Sequence, residues 1–273
     1  MQTLSVVLIT LNEEKNIDRC LQSVRWADEI VVVDSYSTDR TVEKAREYTG
    51  KVLQHEYHGS THQTEWGIRE ASGEWILLVD GDEEISQELA TEIREVLSGP
   101  GPFAGYEILR KPRAFGKWIE HGGWFPDFQF RLFRKDSYLV NHEEVHGGFS
   151  AKGPKGRLKG YVYHDTYETI YAYVSRMNDY TSLQVSNKLK ANPGATTAWY
   201  NLILSPASHF LRMFISKKGY KDGFHGFVLA LLDSAYSMLL YAKLWEYRMR
   251  QAEGGGSLPP ITNVELNRVK RLR

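Results

Sequence analysis

Apolar and polar positions in the first hundred residues fall into alternating blocks. Leu4-Ser5-Val6-Val7-Leu8-Ile9-Thr10 is a short, β-branched, nearly continuous apolar run, as a strand buried on both faces requires. From Asn12 to Trp26, Ile17, Leu21 and Val24 recur at helical spacing. Ile30-Val31-Val32-Val33-Asp34 predicts a second buried strand. Ser37-Thr38-Asp39 then offers N-caps, and Thr41 to Tyr48 reads as helix. Lys51-Val52-Leu53-Gln54 predicts a third strand, and Thr61 to Ala71 a helix ending at Ser72-Gly73. Trp75-Ile76-Leu77-Leu78-Val79-Asp80 predicts a fourth strand. A helix from Ser86 to Leu97 stops before Gly99-Pro100-Gly101-Pro102. This repetition predicts an α/β fold around a parallel, doubly wound sheet.

The pattern changes after residue 103. Phe103 to Tyr163 is aromatic and glycine-rich, with strands expected over Gly105–Lys111 and Asp127–Arg134; in the latter Phe128, Phe130 and Leu132 alternate with Gln129 and Arg131. Helical spacing resumes from Tyr167 to Leu189, Thr197 to Ser216 and Asp222 to Arg250. Gly254-Gly255-Gly256 and Pro259-Pro260 then mark a flexible exit into a tail carrying Arg268, Lys270, Arg271 and Arg273. The expected division is an α/β domain over 1–165, a helical region over 166–253 and a basic tail over 254–273.

Composition narrows the function. Lys+Arg and Asp+Glu both number 34, so a formal net charge of zero removes the electrostatic footprint of a general nucleic-acid binder. With 42% hydrophobic and 25% charged residues, wholesale disorder is excluded. Cys20, the single cysteine, has no internal disulfide partner, and a reducing compartment is expected. The N-terminus has no basic region before its apolar run, so no secretory signal is expected; the longest apolar stretch, Phe227 to Ala242, carries Asp233.

Ligands of such sheets bind beyond the carboxyl ends of the strands. Three strands end in polar or acidic residues: Thr10, followed by Asn12-Glu13; Asp34; and Asp80-Gly81-Asp82. That convergence points to a ligand with hydroxyls and a cation. Two carboxylates one residue apart suit Mg²⁺ or Mn²⁺, and Gly81 is expected to let a ligand approach the backbone closely.

Three stretches together resemble the signatures of family 2 glycosyltransferases, in order and spacing. They are Ser5-Val6-Val7-Leu8-Ile9-Thr10-Leu11-Asn12-Glu13-Glu14, Val31-Val32-Val33-Asp34-Ser35-Tyr36-Ser37-Thr38-Asp39-Arg40-Thr41 and Gly73-Glu74-Trp75-Ile76-Leu77-Leu78-Val79-Asp80-Gly81-Asp82-Glu83. Within that family the chain is most similar to small enzymes that add glucose or a related sugar to the lipopolysaccharide inner core. That similarity is carried by Phe115-Gly116-Lys117-Trp118-Ile119, His121-Gly122-Gly123-Trp124-Phe125-Pro126-Asp127, Arg131-Leu132-Phe133-Arg134, Gly156-Arg157-Leu158-Lys159 and His164. The resemblance implies a GT-A fold with a C-terminal helical extension. It also implies inverting, metal-dependent transfer from a UDP-sugar, UDP-glucose, to a lipid-linked saccharide such as the heptose region of a lipopolysaccharide core. Residues 1–100 would bind the nucleotide sugar and 101–165 form the acceptor side. Thr10, Asn12 and Glu13 would line the base and ribose end, and Asp34 would hydrogen-bond uracil or ribose. Asp80 would contact the ribose or the metal's water shell, and Asp82 would ligate Mn²⁺ or Mg²⁺. Relatives carry a Lys-Gln-Lys-Asn-like stretch before the fourth strand. Here His62-Gln63-Thr64-Glu65 keeps only Gln63, a further donor-site candidate.

Inverting transfer calls for a general base near the acceptor hydroxyl, most often a carboxylate. The candidates are Asp127, Glu143 and Glu144. His142-Glu143 best matches a Val-His-Glu-like element of relatives, with Glu144 second; Asp127 is expected to organise the acceptor pocket. Two alternatives stand beside this reading: a polyprenyl-phosphate sugar synthase, whose phosphate acceptor needs no base, and a nucleotide-sugar-binding scaffold, which the presence of Asp80 and Asp82 disfavours.

Other motifs lead elsewhere and fail. His142-Glu143-Glu144-Val145-His146 fits H-E-x-x-H, which works only on a helix, yet Tyr138-Leu139-Val140 before it reads as strand and Gly147-Gly148 follow it. No dinucleotide or P-loop glycine motif is present. His55, His58 and His62 read as a solvated loop. In the C-terminal helices Phe210, Leu211, Phe214 and Ile215 are interspersed with Arg212, Lys217, Lys218 and Lys221, as an interfacial helix requires. The expected location is therefore cytoplasmic, peripheral at the inner face of the cytoplasmic membrane.

Overall fold

The run Leu4–Thr10 forms strand β1, and its place explains its composition. It lies between two parallel neighbours, β2 (Glu29–Asp34) and β4 (Trp75–Asp80), so both its edges are paired, and apolar clusters cover both its faces. The computed structural model describes residues 2–141 and 148–252. These group into two units: residues up to Pro112 with Pro126–Thr166, and Arg113–Phe125 with the residues from Tyr167 onward.

In the first unit the sheet runs β3 (Val52–Gln54), β2, β1, β4, β8 (Asp127–Arg134), β6 (Gly105–Ala114), β11 (Lys155–Tyr167), β5 (Glu83–Ile85). The first four are parallel, as the sequence pattern predicts. From β8 onward the sheet departs from the doubly wound expectation: β8 pairs antiparallel with β4 and β6, and β11 antiparallel with β5. Alternation along the strands sorts the core. Val6, Leu8, Leu77 and Leu132 pack with α1 (Ile17–Val24) and α4 (Gln87–Leu97) on one face. Val7, Val33, Ile76 and Phe133 pack with Ile68 of α3 (Ser60–Glu70) on the other. A small second sheet pairs β9 (Tyr138–Asn141) with β10 (Gly148–Ala151).

One predicted boundary moves for a clear reason. The helix expected from Asn12 begins at Ile17, because Asn12 takes a φ of 54°, which a right-handed helix cannot continue. The freed segment bonds instead to the loop after β2: Asn12 N–H donates to Ser37 Oγ at 2.8 Å, Glu13 N–H to Thr41 Oγ1 at 2.7 Å and Glu14 N–H to Asp39 at 3.2 Å.

The second unit holds α5 (Ile170–Ala191), α6 (Asn201–Leu211) and α7 (Phe224–Ala252); a π turn (Arg212–Ser216) and a 3₁₀ turn (Gly219–Asp222) join the last two. Ala114, Ile119, Tyr173, Met177 and Leu229 form its first apolar cluster. The buried Asp222 carboxylate accepts from the His121 N–H at 2.8 Å, and Lys117 Nζ donates to the Asp222 carbonyl at 2.7 Å. Thus Arg113–Phe125, which includes β7 (Lys117–Trp118), groups with the helices, an arrangement absent from the linear division at residue 165.

The amino end of the parallel sheet is stapled by Glu29. Its Oε1 accepts from Lys51 Nζ at 2.6 Å, and its Oε2 from the Ser72 N–H at 2.7 Å and from Ser5 Oγ. Burial works to raise its pKa, but Lys51, Ser5 and Ser72 hold it down at about 2. A depressed carboxylate contributes stability above its unfolded pKa of about 4.3 and loses it as pH falls toward the folded value. Glu29→Gln is expected to cost about 2 kcal/mol at pH 7. Urea denaturation from pH 7 to pH 2 should show the gap to wild type closing below about pH 4.3; a gap independent of pH would contradict the assignment.

Candidate functional site

Strand order 3-2-1-4 reverses direction between β1 and β4, and ligands of open α/β sheets sit at such a switch point. Thr10 ends β1 opposite Asp34 in register, and Ile9 lies opposite Asp80. Thr10, Asp34, Asp80 and Asp82 therefore share one edge of the first unit.

The side chains at that edge do different work. Thr10 Oγ1 is buried and has no hydrogen-bond partner among the described residues. It packs beside Gly81, where a Cβ would come within 3.0 Å of Thr10 Oγ1 and 3.1 Å of Glu13 Cγ. Gly81 thus fits closely between the Thr10 and Glu13 side chains, where a larger residue would have to displace one of them. Asp34 is fully buried; its carboxylate accepts from the Ser37 N–H at 2.9 Å, from Ser37 Oγ and from Gln54 Nε2 at 3.2 Å. Asn12 Oδ1 accepts from the Thr38 N–H at 2.8 Å, and Glu13 accepts from Asn16 Nδ2 at 2.8 Å. These three residues lock the two loops that border the edge. Gln63 is also fully buried: its Nε2 donates to Ser35 Oγ at 2.9 Å and to the His55 carbonyl at 3.0 Å, and its Oε1 lies 2.9 Å from His55 Nδ1. With both ends of its amide engaged, Gln63 braces α3 against the ends of β2 and β3. His55, expected in a solvated loop, also stacks on Trp66 at 4.6 Å between ring centroids.

Beyond β4 lies a row of alternating charges. Arg131 on β8 reaches Asp80 at 3.0 Å and Glu83 at 2.9 Å. Glu83, fully buried, also accepts the Asp80 N–H at 2.9 Å, so it holds the Asp80-Gly81-Asp82 turn through both backbone and side chain. Burial pushes the Glu83 carboxyl above its ordinary value even against Arg131. Arg131, although desolvated, is held above its own value by Glu83 and Asp80, so it stays charged. Arg110 continues the row to Asp127, with Nη2 at 2.7 Å from Oδ2, and Gln129 Nε2 donates to Oδ1 at 2.7 Å. Asp127, a candidate base, therefore has both oxygens engaged, the arrangement of a residue that is held in place. Glu143 and Glu144 lie outside the described residues.

His164 is the member of this site to which sequence reasoning gave no role. β5 follows the Asp82 turn directly and pairs with β11 so that His164 stands opposite Glu83. That register puts His164 Nε2 3.2 Å from Asp82 Oδ2, while Thr166 Oγ1 lies 3.0 Å from Nδ1 and fixes the ring. Burial pulls the His164 pKa down, but the Asp82 carboxylate, with Glu83, outweighs it and holds the ring above its ordinary value. Arg19 of α1 secures the same junction, binding Asp165 at 2.5 Å and the Asp82 carbonyl at 3.4 Å. The available signal was a histidine on an alternating strand; its pairing partner was not visible in sequence.

Asp82 and His164 could hold a divalent cation. Among the described residues no third His, Cys, Asp or Glu converges with them. One carboxylate and one imidazole suit a metal that completes its shell with water and substrate phosphates, as Mg²⁺ and Mn²⁺ do. Cys20 lies beneath the turn, its thiol donating to the Asp80 carbonyl at 3.4 Å. Burial, then Glu83 and the two aspartates, push its pKa well up, so it is an inert packing residue.

Arg131→Gln is expected to cost about 3–5 kcal/mol of stability, because it strands the buried Glu83. Adding Glu83→Gln should return more than half of that loss in urea denaturation. Equal stability of the single and double variants would contradict the pairing.

Comparison with known proteins gives consistent matches. The family described as "Glycosyl transferase family 2" matches residues 5–150, more than half of the chain. The lipopolysaccharide core biosynthesis glycosyltransferase LpsC of Rhizobium meliloti is 26% identical over 256 residues, 89% of this chain and 92% of that protein. An uncharacterized glycosyltransferase of Rickettsia prowazekii is 27% identical over 263 residues, covering 92% of this chain and 89% of its own. A crystal structure of S. aureus TarS in complex with UDP-GlcNAc aligns with a TM-score of 0.44 at 20% identity, over 99% of this chain and 88% of that one.

Proposed function

The chain belongs to glycosyl transferase family 2 and is a glycosyltransferase, and from that premise we propose that it moves glucose from UDP-glucose to a lipid-linked saccharide, with inversion and with a divalent metal. The observation that carries the reading is the Asp82–His164 pair, 3.2 Å apart beyond the switch point between β1 and β4. LpsC, which resembles this chain over nearly its whole length, is named for lipopolysaccharide core biosynthesis, and this supports a core saccharide as acceptor.

In this reading Asp82 and His164 hold Mn²⁺ or Mg²⁺, which when bound neutralises charge on the departing diphosphate. Arg131 and Glu83 keep the turn fixed, so that little reorganisation accompanies donor binding. The Thr10 hydroxyl, without a hydrogen-bond partner among the described residues, offers the donor a hydrogen-bonding group, and Asp34, Asn12 and Glu13 hold the loops that face the base and ribose. Gln63 acts one step back, bracing the loop after β2. On the acceptor side Glu143 takes the proton as the acceptor hydroxyl attacks the anomeric carbon, with Glu144 as the second candidate and Asp127, held by Arg110, shaping the pocket. A lipid-linked acceptor places the enzyme in the cytoplasm, peripheral at the inner face of the membrane.

Ligand that binds only the folded state raises apparent stability, by about 2.7 kcal/mol at a hundredfold excess over Kd. UDP with Mn²⁺ is expected to raise the melting temperature by several degrees, and Asp82→Ala should remove the metal-dependent part. Glu143→Gln should keep that shift and lose sugar transfer. No shift with any nucleoside diphosphate in the presence of Mn²⁺ or Mg²⁺ would overturn the donor-site assignment.

A further inference from the structure

The second unit has an outer face that its own packing does not explain. Helix α6 reads Asn-Leu-Ile-Leu-Ser-Pro-Ala-Ser-His-Phe-Leu, yet none of its residues is buried. Leu204 is 62% exposed, and Tyr200, Ile203 and Leu211 are exposed with it. On α7 the exposed residues Phe224, Leu231, Met238 and Trp245 recur every seventh position, which keeps them on one stripe. Another face of α7 packs within the unit: Leu229 and Leu244 are buried, and Tyr173 of α5 donates its hydroxyl to Asp233 at 2.5 Å. The helix is long and apolar enough to cross a membrane by length and composition, and its buried positions pack within the unit. Single exposed apolar residues are ordinary, whereas contiguous patches mark interaction surfaces.

Charge selects the partner. The turns between α6 and α7 carry Arg212, Lys217, Lys218 and Lys221, all exposed, with no acidic residue from 212 to 221. Asp222, next in sequence, is buried, and the backbone N–H groups of Glu120 and His121 occupy its carboxylate. On a chain of zero net formal charge this is a local excess of cations beside an apolar face. Trp199, 75% exposed, and Tyr220 lie at its ends, and such rings favour the boundary between apolar and wet regions.

We propose that the outer face of α6 and α7 lies in the surface of a bilayer, with the cationic turns engaging anionic lipid headgroups. The inference rests on the peripheral-membrane reading given above and deepens it by naming the docking surface. A second copy of the chain could also cover apolar surface, but a two-fold contact would present the same cationic turn from both sides. An anionic lipid surface supplies the missing charge.

The test is co-sedimentation of the full chain with vesicles, without sugar donor, so that it can fail separately from the transferase assignment. Vesicles containing about one-third phosphatidylglycerol should bind the protein, and phosphatidylcholine vesicles far more weakly. Each of Lys217→Gln, Lys218→Gln and Lys221→Gln should weaken binding about fivefold, the change that ~1 kcal/mol per basic residue at an anionic surface implies. Phe224→Ser with Leu231→Ser should weaken it at least tenfold while leaving the UDP melting shift and the circular dichroism spectrum unchanged. Absence of binding to anionic vesicles, or binding that ignores both sets of substitutions, would overturn the proposal. So would a dimer in solution that Phe224→Ser dissociates while the wild type leaves vesicles unbound.

Discussion

The first unit depends on one largely shielded guanidinium. Arg131 lies between Asp80 and the fully buried Glu83, and without it two carboxylates would face each other at the end of a central strand. A buried ion pair is seldom a net source of stability compared with apolar residues of the same volume. Its value here is geometric. Glu83 grips the Asp80 N–H with one oxygen and Arg131 with the other, so the turn that presents Asp82 cannot drift from strand β8. Arg110 and Asp127 extend the same row of charges outward.

The mixed sheet is what makes this possible. Four parallel strands create a switch point but contribute only one acidic turn beyond it. The antiparallel half carries Arg131, Arg110 and His164 to the same edge from segments far away in sequence. Short β5 is the hinge of that arrangement, since pairing with β11 in a register one residue away would turn His164 to the opposite face of the sheet. Arg19, from a helix on the parallel half, ties the junction from beneath through Asp165 and the Asp82 carbonyl.

The parallel half was legible in the sequence because buried parallel strands are written as unbroken apolar runs, and β1, β2 and β4 fall within a residue or so of where those runs place them. The carboxylate turn was legible for the same reason, since it ends such a run. The thirteen-residue strand β11 was not. Lys155, Arg157 and Lys159 take its outward positions, but Gly156 and Gly160 occupy inward ones and weaken the apolar alternation, and its stability comes from distant partners. The role of His164 was hidden with it. Asp34 and Gln63 were legible as special polar residues but not as buried braces, because only tertiary contacts show that Ser37, Gln54, Ser35 and His55 already satisfy them. The start of α1 was misplaced because apolar periodicity does not register the left-handed backbone of Asn12.

The central claim is that Asp82 and His164, held by the Arg131–Glu83 pair, form the metal-binding end of a nucleotide-sugar site at the switch point. A crystal structure grown with UDP and Mn²⁺, with anomalous scattering recorded for manganese, tests it most directly. The account predicts one manganese peak bonded to Asp82 and His164 and to the diphosphate, with the nucleoside lying beyond the ends of β1 and β4. Manganese bound elsewhere, or UDP ordered away from that edge, would contradict it.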